Sequence, residues 1–230
     1  MPAMPVVRYR SHVSVECIVP TTTHGRYLVD IAHGEGPRPL LVGFHGYSEN
    51  ADVQMERLRS VRADAGWSLV SIQALHRFYR AGTNDQIAAS WMTRQDRELM
   101  IADNVAYGNA VIDAICREFH EVSAIVHAGF SQGASMAYRA AALGQRPSAG
   151  VIALGGDVPP ELSQEVLGRV GKALIGWGRR DRFYGVEKKN SDEHRLRSAG
   201  VAVQVVELDA SHKWTEPFTA ACSAWLREYA

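Results

Sequence analysis

Two hydrophobic rhythms alternate along this chain of 230 residues. Short apolar runs rich in Val, Ile and Leu are separated by longer stretches in which apolar residues recur every three to four positions. The first rhythm suits strands and the second suits helices, and their alternation marks an α/β sheet. The pattern predicts strands over 13–19, 26–31, 40–44, 69–72, 124–128, 151–154, 173–176 and 203–208. It predicts helices over 52–65, 98–119, 132–143, 184–198 and 215–229. The first two strands alternate polar and apolar residues and are joined by the short stretch 20–25, so they read as an antiparallel pair at one edge. The later strands are continuously apolar, as strands covered on both faces are. The expected architecture is a three-layer α/β sandwich, with a mostly parallel eight-stranded sheet, an antiparallel N-terminal edge and helices on both faces.

Length suits a single domain over 1–230. Hydrophobic residues make up 46% and charged residues 22%, which favours a globular chain over a disordered one. Lys and Arg number 25, as do Asp and Glu, so no broad basic face is expected for nucleic acid or an anionic membrane. Cys17, Cys116 and Cys222 are too few and too scattered for a disulfide scaffold or a zinc knuckle. The opening residues lack a signal-peptide pattern, and no uncharged apolar run approaches the roughly 18 residues of a spanning helix. A soluble cytoplasmic protein without stable membrane association is expected, and a homodimer is left open. The stretch 73–97 is polar and locally loose, and is a candidate cap or pocket segment.

In an open parallel sheet, ligands sit beyond the carboxyl ends of the strands, so candidate chemistry is sought there. Gly129-Phe130-Ser131-Gln132-Gly133 follows an apolar strand and opens a helix. The five-residue pattern is weak as a string, but a sharp strand-to-helix turn would hold the Ser131 hydroxyl exposed as a nucleophile. The plain alternative is a serine that caps the helix. A nucleophilic serine needs a base, and the base needs an orienting acid; in this geometry the chain order is Ser, acid, His. His194 sits among charged residues in a helix, whereas His212 follows the last strand and is the expected base. For the acid, Asp181 and Asp157 both follow strands, and Asp181 is favoured with Asp157 kept open. An oxyanion hole requires two backbone N–H donors. Gln132 at the helix start is one candidate, and Tyr47 after His45-Gly46 is the other. His45, Trp91 and Trp214 are candidates for substrate contact. No metal-binding or nucleotide-binding spacing is found, so no cofactor is expected.

These loops together resemble the phospholipase/carboxylesterase group of α/β-hydrolases, which includes acyl-protein thioesterases. The resemblance rests on His45-Gly46, Gly129 to Gly133, Gly178 to Asp181 and His212, and runs from about Pro39 to the C-terminus. It implies a Ser131–His212–Asp181 triad, oxyanion donors at Tyr47 and Gln132, and no cofactor. Ser48 and Ser211 stand where members of that group commonly carry glycine. Arg77, Arg80, Arg94 and Arg97 make 73–97 a poor lining for a long acyl chain, so a small-molecule ester with a short or aromatic acyl group is expected. Thioester cleavage belongs to the same expectation. Peptidase or acyltransferase chemistry on this machinery, and a non-catalytic ligand-binding protein, are the alternatives.

Overall fold

The computed structural model describes residues 16–33, 35–61, 66–83, 85–119 and 121–229. In chain order the elements are β1 (Tyr27–Asp30), β2 (Arg38–Phe44), α1 (Ala51–Val61), β3 (Ser68–Ile72), β4 (His76–Tyr79), β5 (Ile87–Ser90) and α2 (Arg97–Glu118). There follow β6 (Val122–Phe130), α3 (Gln132–Leu143), β7 (Gly150–Leu154), α4 (Gln164–Leu167), β8 (Lys172–Gly178), α5 (Val186–Ser198), β9 (Ala202–Leu208) and α6 (Glu216–Leu226). The main sheet runs in the order β1-β3-β2-β6-β7-β8-β9. All neighbours are parallel except β1, which lies antiparallel to β3.

Because successive side chains leave a strand on opposite faces, the apolar strands feed two cores at once. Leu40, Val42, Phe44, Val151, Ala153, Ala173 and Ile175 join Val111, Ile112 and Ile115 of α2, Met136 and Tyr138 of α3, and Leu196 of α5. On the other face Leu41, Val126, Ala128, Ile152, Leu154 and Leu174 meet Met55 and Leu58 of α1 and Phe218, Cys222 and Trp225 of α6. These are the three expected layers. By length and composition α2 could cross a bilayer, yet here its Val111–Ile115 face packs on the sheet.

The sheet departs from expectation in its strand count: it has seven strands among the described residues, not eight. Of the predicted strand 13–19, residues 13–15 lie outside the described residues and 16–19 form no strand. Ile18 and Val19 stay exposed, so no burial rewards pairing there. The antiparallel edge is therefore β1 against β3 rather than an N-terminal hairpin. Of the predicted helix 52–65, residues 62–65 fall outside the described residues. The segment 73–97 folds around the hairpin β4–β5, which the hydrophobic pattern did not predict. Its β4 residues are mostly exposed, and the alanines of β5 are weak strand formers, so neither gives a strand signal.

Phe218 is fully buried, and a Cβ on Gly176 of β8 would come within 2.3 Å of its ring. Phe218→Ala should cost about 3–5 kcal/mol, read as a lowered urea midpoint with an unchanged slope.

Candidate active site

Four loops meet at the carboxyl ends of β2, β6, β8 and β9. The first is the turn from β6 into α3. Ser131 sits there with φ 55° and ψ −120°, a conformation rarely taken by a residue with a side chain. It is held by its N–H, which donates to the Leu154 carbonyl at 2.9 Å. The turn is possible only because its neighbours lack side chains. A Cβ on Gly129 would lie 2.2 Å from the Gly133 carbonyl oxygen, and one on Gly133 would lie 2.1 Å from that of Phe44. Gly156, after β7, is equally close to the Ser131 carbonyl. Ser131 makes no side-chain capping bond to its helix. Its hydroxyl lies 2.8 Å from His212 Nε2 instead.

His212 comes from the loop after β9. Its Nδ1 is 2.7 Å from Asp181 Oδ2. The other Asp181 oxygen accepts the N–H groups of Phe183 and Tyr184 at 2.8 and 3.0 Å. Those bonds fix the carboxylate, and its side chain is only 2% exposed. With Asp181 accepting at Nδ1, the imidazole presents Nε2 as the acceptor for a hydroxyl proton. Of the two carboxylates left open, Asp181 is the one bonded to His212, while Asp157 pairs with Lys188 at 3.3 Å. The His212 ring lies between Phe130 and Phe183, with centroids 4.9 and 5.0 Å away.

The fourth loop joins β2 to α1. Among the amides of residues 46–49, Gly46 N–H donates to Glu49 Oε2, Ser48 N–H to the Ala89 carbonyl and Glu49 N–H to the Gly46 carbonyl. Tyr47 N–H alone of the four has no partner among the described residues. The approach of Gly133 to the carbonyls of Phe44 and His45 brings this loop against the Ser131 turn. Gln132 N–H, at the first position of α3, is an orphan helix donor beside it. Two free N–H groups therefore belong to segments that pack against each other at the Ser131 turn.

Three substrate-contact expectations fare differently. Trp214 lines a cleft of about 460 Å³ together with His212, Phe130, Arg57, Lys213 and Glu49. His45 is fully buried and needs correction: its Nε2 accepts from Ala74 N–H at 3.1 Å, so its Nδ1 donates to the Gly46 carbonyl at 2.8 Å. Trp91 is corrected for the same reason, since it is buried and its indole N–H donates to the His45 carbonyl at 2.8 Å. Both brace the loop from beneath. The Gln132 side chain ties the turn to the hairpin segment, accepting from Trp91 N–H and donating to the Met92 carbonyl.

Other residues shape the site through contacts that the sequence does not show. Ser48 has φ 61° at a position where the related group commonly has glycine, and Arg80 of the hairpin region binds its carbonyl at 2.8 Å. Asp192 of α5 is buried although it lies in a helix rich in charged residues. It accepts from Tyr184 OH and Val158 N–H, bracing the loops after β8 and β7, and burial pushes its pKa up to about 6. Among the described residues no cluster of His, Cys, Asp or Glu is arranged to hold a metal ion.

The family model for phospholipase/carboxylesterase matches residues 31–222. This chain belongs to the phospholipase/carboxylesterase family. Membership supports a hydrolase of carboxylesterase or thioesterase type. No curated protein matches the sequence. Among solved structures, the Mesorhizobium loti carboxylesterase is similar with TM-score 0.71 and 20% identity, covering 88% of this chain and 94% of that one. The Bacillus cereus carboxylesterase gives TM-score 0.70 and 16% identity, covering 90% and 95%. The Zea mays acyl-protein thioesterase 2 gives 0.68 and 17%, covering 89% and 99%. At these identities the likeness is one of fold: this phospholipase/carboxylesterase chain shares the α/β-hydrolase architecture with them.

Burial pushes the pKa of His45 down to about 4, against the pull of its bond to the Gly46 carbonyl. An unfolded chain takes up that proton near pH 6.5, whereas the folded chain resists until about 4. Stability should therefore fall as pH drops through this window, by up to about 3 kcal/mol from this group. His127, pushed down by burial to about 3, acts in the same direction. Urea unfolding between pH 7 and pH 4 should show the loss, with a flatter slope in His45→Gln.

Proposed function

We propose that this protein is a serine hydrolase that cleaves carboxylic esters or thioesters through an acyl-enzyme. The observation that carries this reading is the hydrogen-bonded line Asp181–His212–Ser131, with links of 2.7 and 2.8 Å. In this mechanism His212 Nε2 takes the Ser131 proton as the hydroxyl oxygen attacks the acyl carbonyl carbon. Asp181 holds the imidazole in the required tautomer and stabilises the imidazolium. Tyr47 and Gln132 N–H groups receive the carbonyl oxygen as its negative charge develops, each contributing about 3 kcal/mol to transition-state stabilisation. The imidazolium then protonates the departing alcohol or thiol. Water, deprotonated by the same histidine, attacks the acyl-enzyme and releases the acid and Ser131.

Support for a short or aromatic acyl group comes from the polar surroundings of the site. The cleft beside His212 mixes the Trp214 and Phe130 rings with Arg57, Lys213 and Glu49. Charges of this density disfavour an extended alkyl chain, which needs apolar walls along its length. The reading includes work in the cytoplasm on small-molecule substrates, without a metal or organic cofactor.

A fluorophosphonate should label Ser131 stoichiometrically in native protein and not after heat denaturation. Ser131→Ala should lower turnover of short-chain and aryl esters by about 10³–10⁶-fold. Retained turnover in that variant would overturn the assignment.

A further inference from the structure

A charge pair that the proton-transfer chemistry does not use joins the loop after β2 to helix α1. Glu49 and Arg57 meet through two bonds of 2.6 Å, with side chains only 17% and 14% exposed. Burial opposes ionisation of Glu49, but Arg57 and the Gly46 N–H outweigh it and hold the carboxyl below its usual value. The pair is therefore charged. One carboxylate oxygen receives Gly46 N–H at 2.8 Å as well as Arg57. The Glu49 backbone is occupied too, its N–H bonding the Gly46 carbonyl and its carbonyl receiving Ala89 N–H. One residue thus fastens both ends of the turn 46–49 and ties it to the hairpin. Space is tight there, because a Cβ on Gly46 would lie 2.9 Å from the Glu49 carboxylate and 3.1 Å from the Phe130 ring.

Arg57 carries the connection further. Its guanidinium lies 4.6 Å from the centre of the Phe130 ring, and that ring packs against His212. Phe130 directly precedes Ser131 in the chain. The same ion pair therefore contacts the loop that bears Tyr47 N–H and the ring that supports His212.

We propose that Glu49 and Arg57 form a positioning unit for the oxyanion loop, in which the carboxylate captures Gly46 N–H so that Tyr47 N–H stays free, while Arg57 locks that carboxylate against Phe130. This inference rests on the serine-hydrolase reading of the same site. A buried carboxylate is costly unless paired, so its placement on a backbone amide beside an unbonded amide gives it a specific task. Without it, the turn relaxes and Tyr47 N–H is displaced from the developing oxyanion. An oxyanion donor acts mainly on the transition state, so the loss falls on kcat and leaves KM nearly unchanged.

The test is steady-state kinetics on p-nitrophenyl acetate with Glu49→Ala, Arg57→Met and the double variant, each checked for folding by circular dichroism. Glu49→Ala should lower kcat by about 30–100-fold, given that removing an oxyanion donor outright costs about 10²–10³-fold. Its KM should stay within about 3-fold of wild type. Arg57→Met, which leaves the Gly46 bond available, should lower kcat less, by about 10-fold, and the double variant should be no worse than Glu49→Ala. The inference is overturned by a folded Glu49→Ala enzyme with kcat near wild type, by a loss confined to KM, or by losses that multiply in the double variant. Should Glu49→Ala fail to fold, Arg57→Met decides alone: a drop in kcat at constant KM supports the unit, and an unchanged kcat overturns it. Wild-type protein with neither turnover nor a Ser131 adduct would instead overturn the hydrolase reading itself.

Discussion

Ser131 must hold its backbone at φ 55° and ψ −120° for its hydroxyl to stand clear of the sheet and meet His212. Such a conformation costs about 1–3 kcal/mol and persists only where the surroundings overdetermine it. Here they do. β6 lies in the middle of the sheet, between β2 and β7, and its last residues are buried on both faces. α3 packs on the same sheet through Ala134, Met136 and Tyr138. The glycines at 129, 133 and 156 allow β2, the loop after β7 and α3 to close on the turn with no side chain between them. The strain is local, and the burial that offsets it is spread over the whole domain core.

The neighbouring loops carry a second layer of constraint, built from buried polar groups. His45, Trp91 and the Gln132 side chain form a hydrogen-bonded block beneath the loop after β2. Asp192 and Tyr184 do the equivalent under the loop that bears Asp181. Each buried donor or acceptor would be expensive if left unpaired, so these networks allow few alternative arrangements. That is how loops, ordinarily the softer parts of an α/β fold, can hold the Asp181, His212 and Ser131 side chains in one hydrogen-bonded line. The cores on either face of the sheet are apolar by contrast and specify no chemistry.

The hairpin β4–β5 belongs to this support as much as to the mouth of the site. Through the bridge between Glu49 and Ala89, the Arg80 bond to Ser48 and the Gln132 bonds to residues 90–92, it is sewn to the loop and to the Ser131 turn. Ser48 can stand in a left-handed conformation partly because Arg80 holds its carbonyl. A departure from the usual glycine is thus matched by a contact from a segment some thirty residues away in sequence.

The layered α/β fold, the Ser131 turn and the position of His212 were all legible in the chain, because each is a local signal. Apolar periodicity marks an element without reference to its partners, and a strand, a Gly-x-Ser-x-Gly turn and a helix are contiguous in sequence. Tertiary structure alone brought Asp181 and not Asp157 to His212, since both follow strands and only the packing of β8 beside β9 makes that contact. It alone buried His45 and Trp91, which read as pocket residues because they flank the right loops. It alone paired Glu49 with Arg57 and buried Asp192, because the partner of a charged side chain is not written in its own segment. It also denied residues 16–19 a strand partner and gave one to the weakly patterned hairpin. The difference is physical. Propensity and periodicity are properties of a segment, whereas the cost of a buried charge and the choice of its partner depend on what the rest of the chain brings to it.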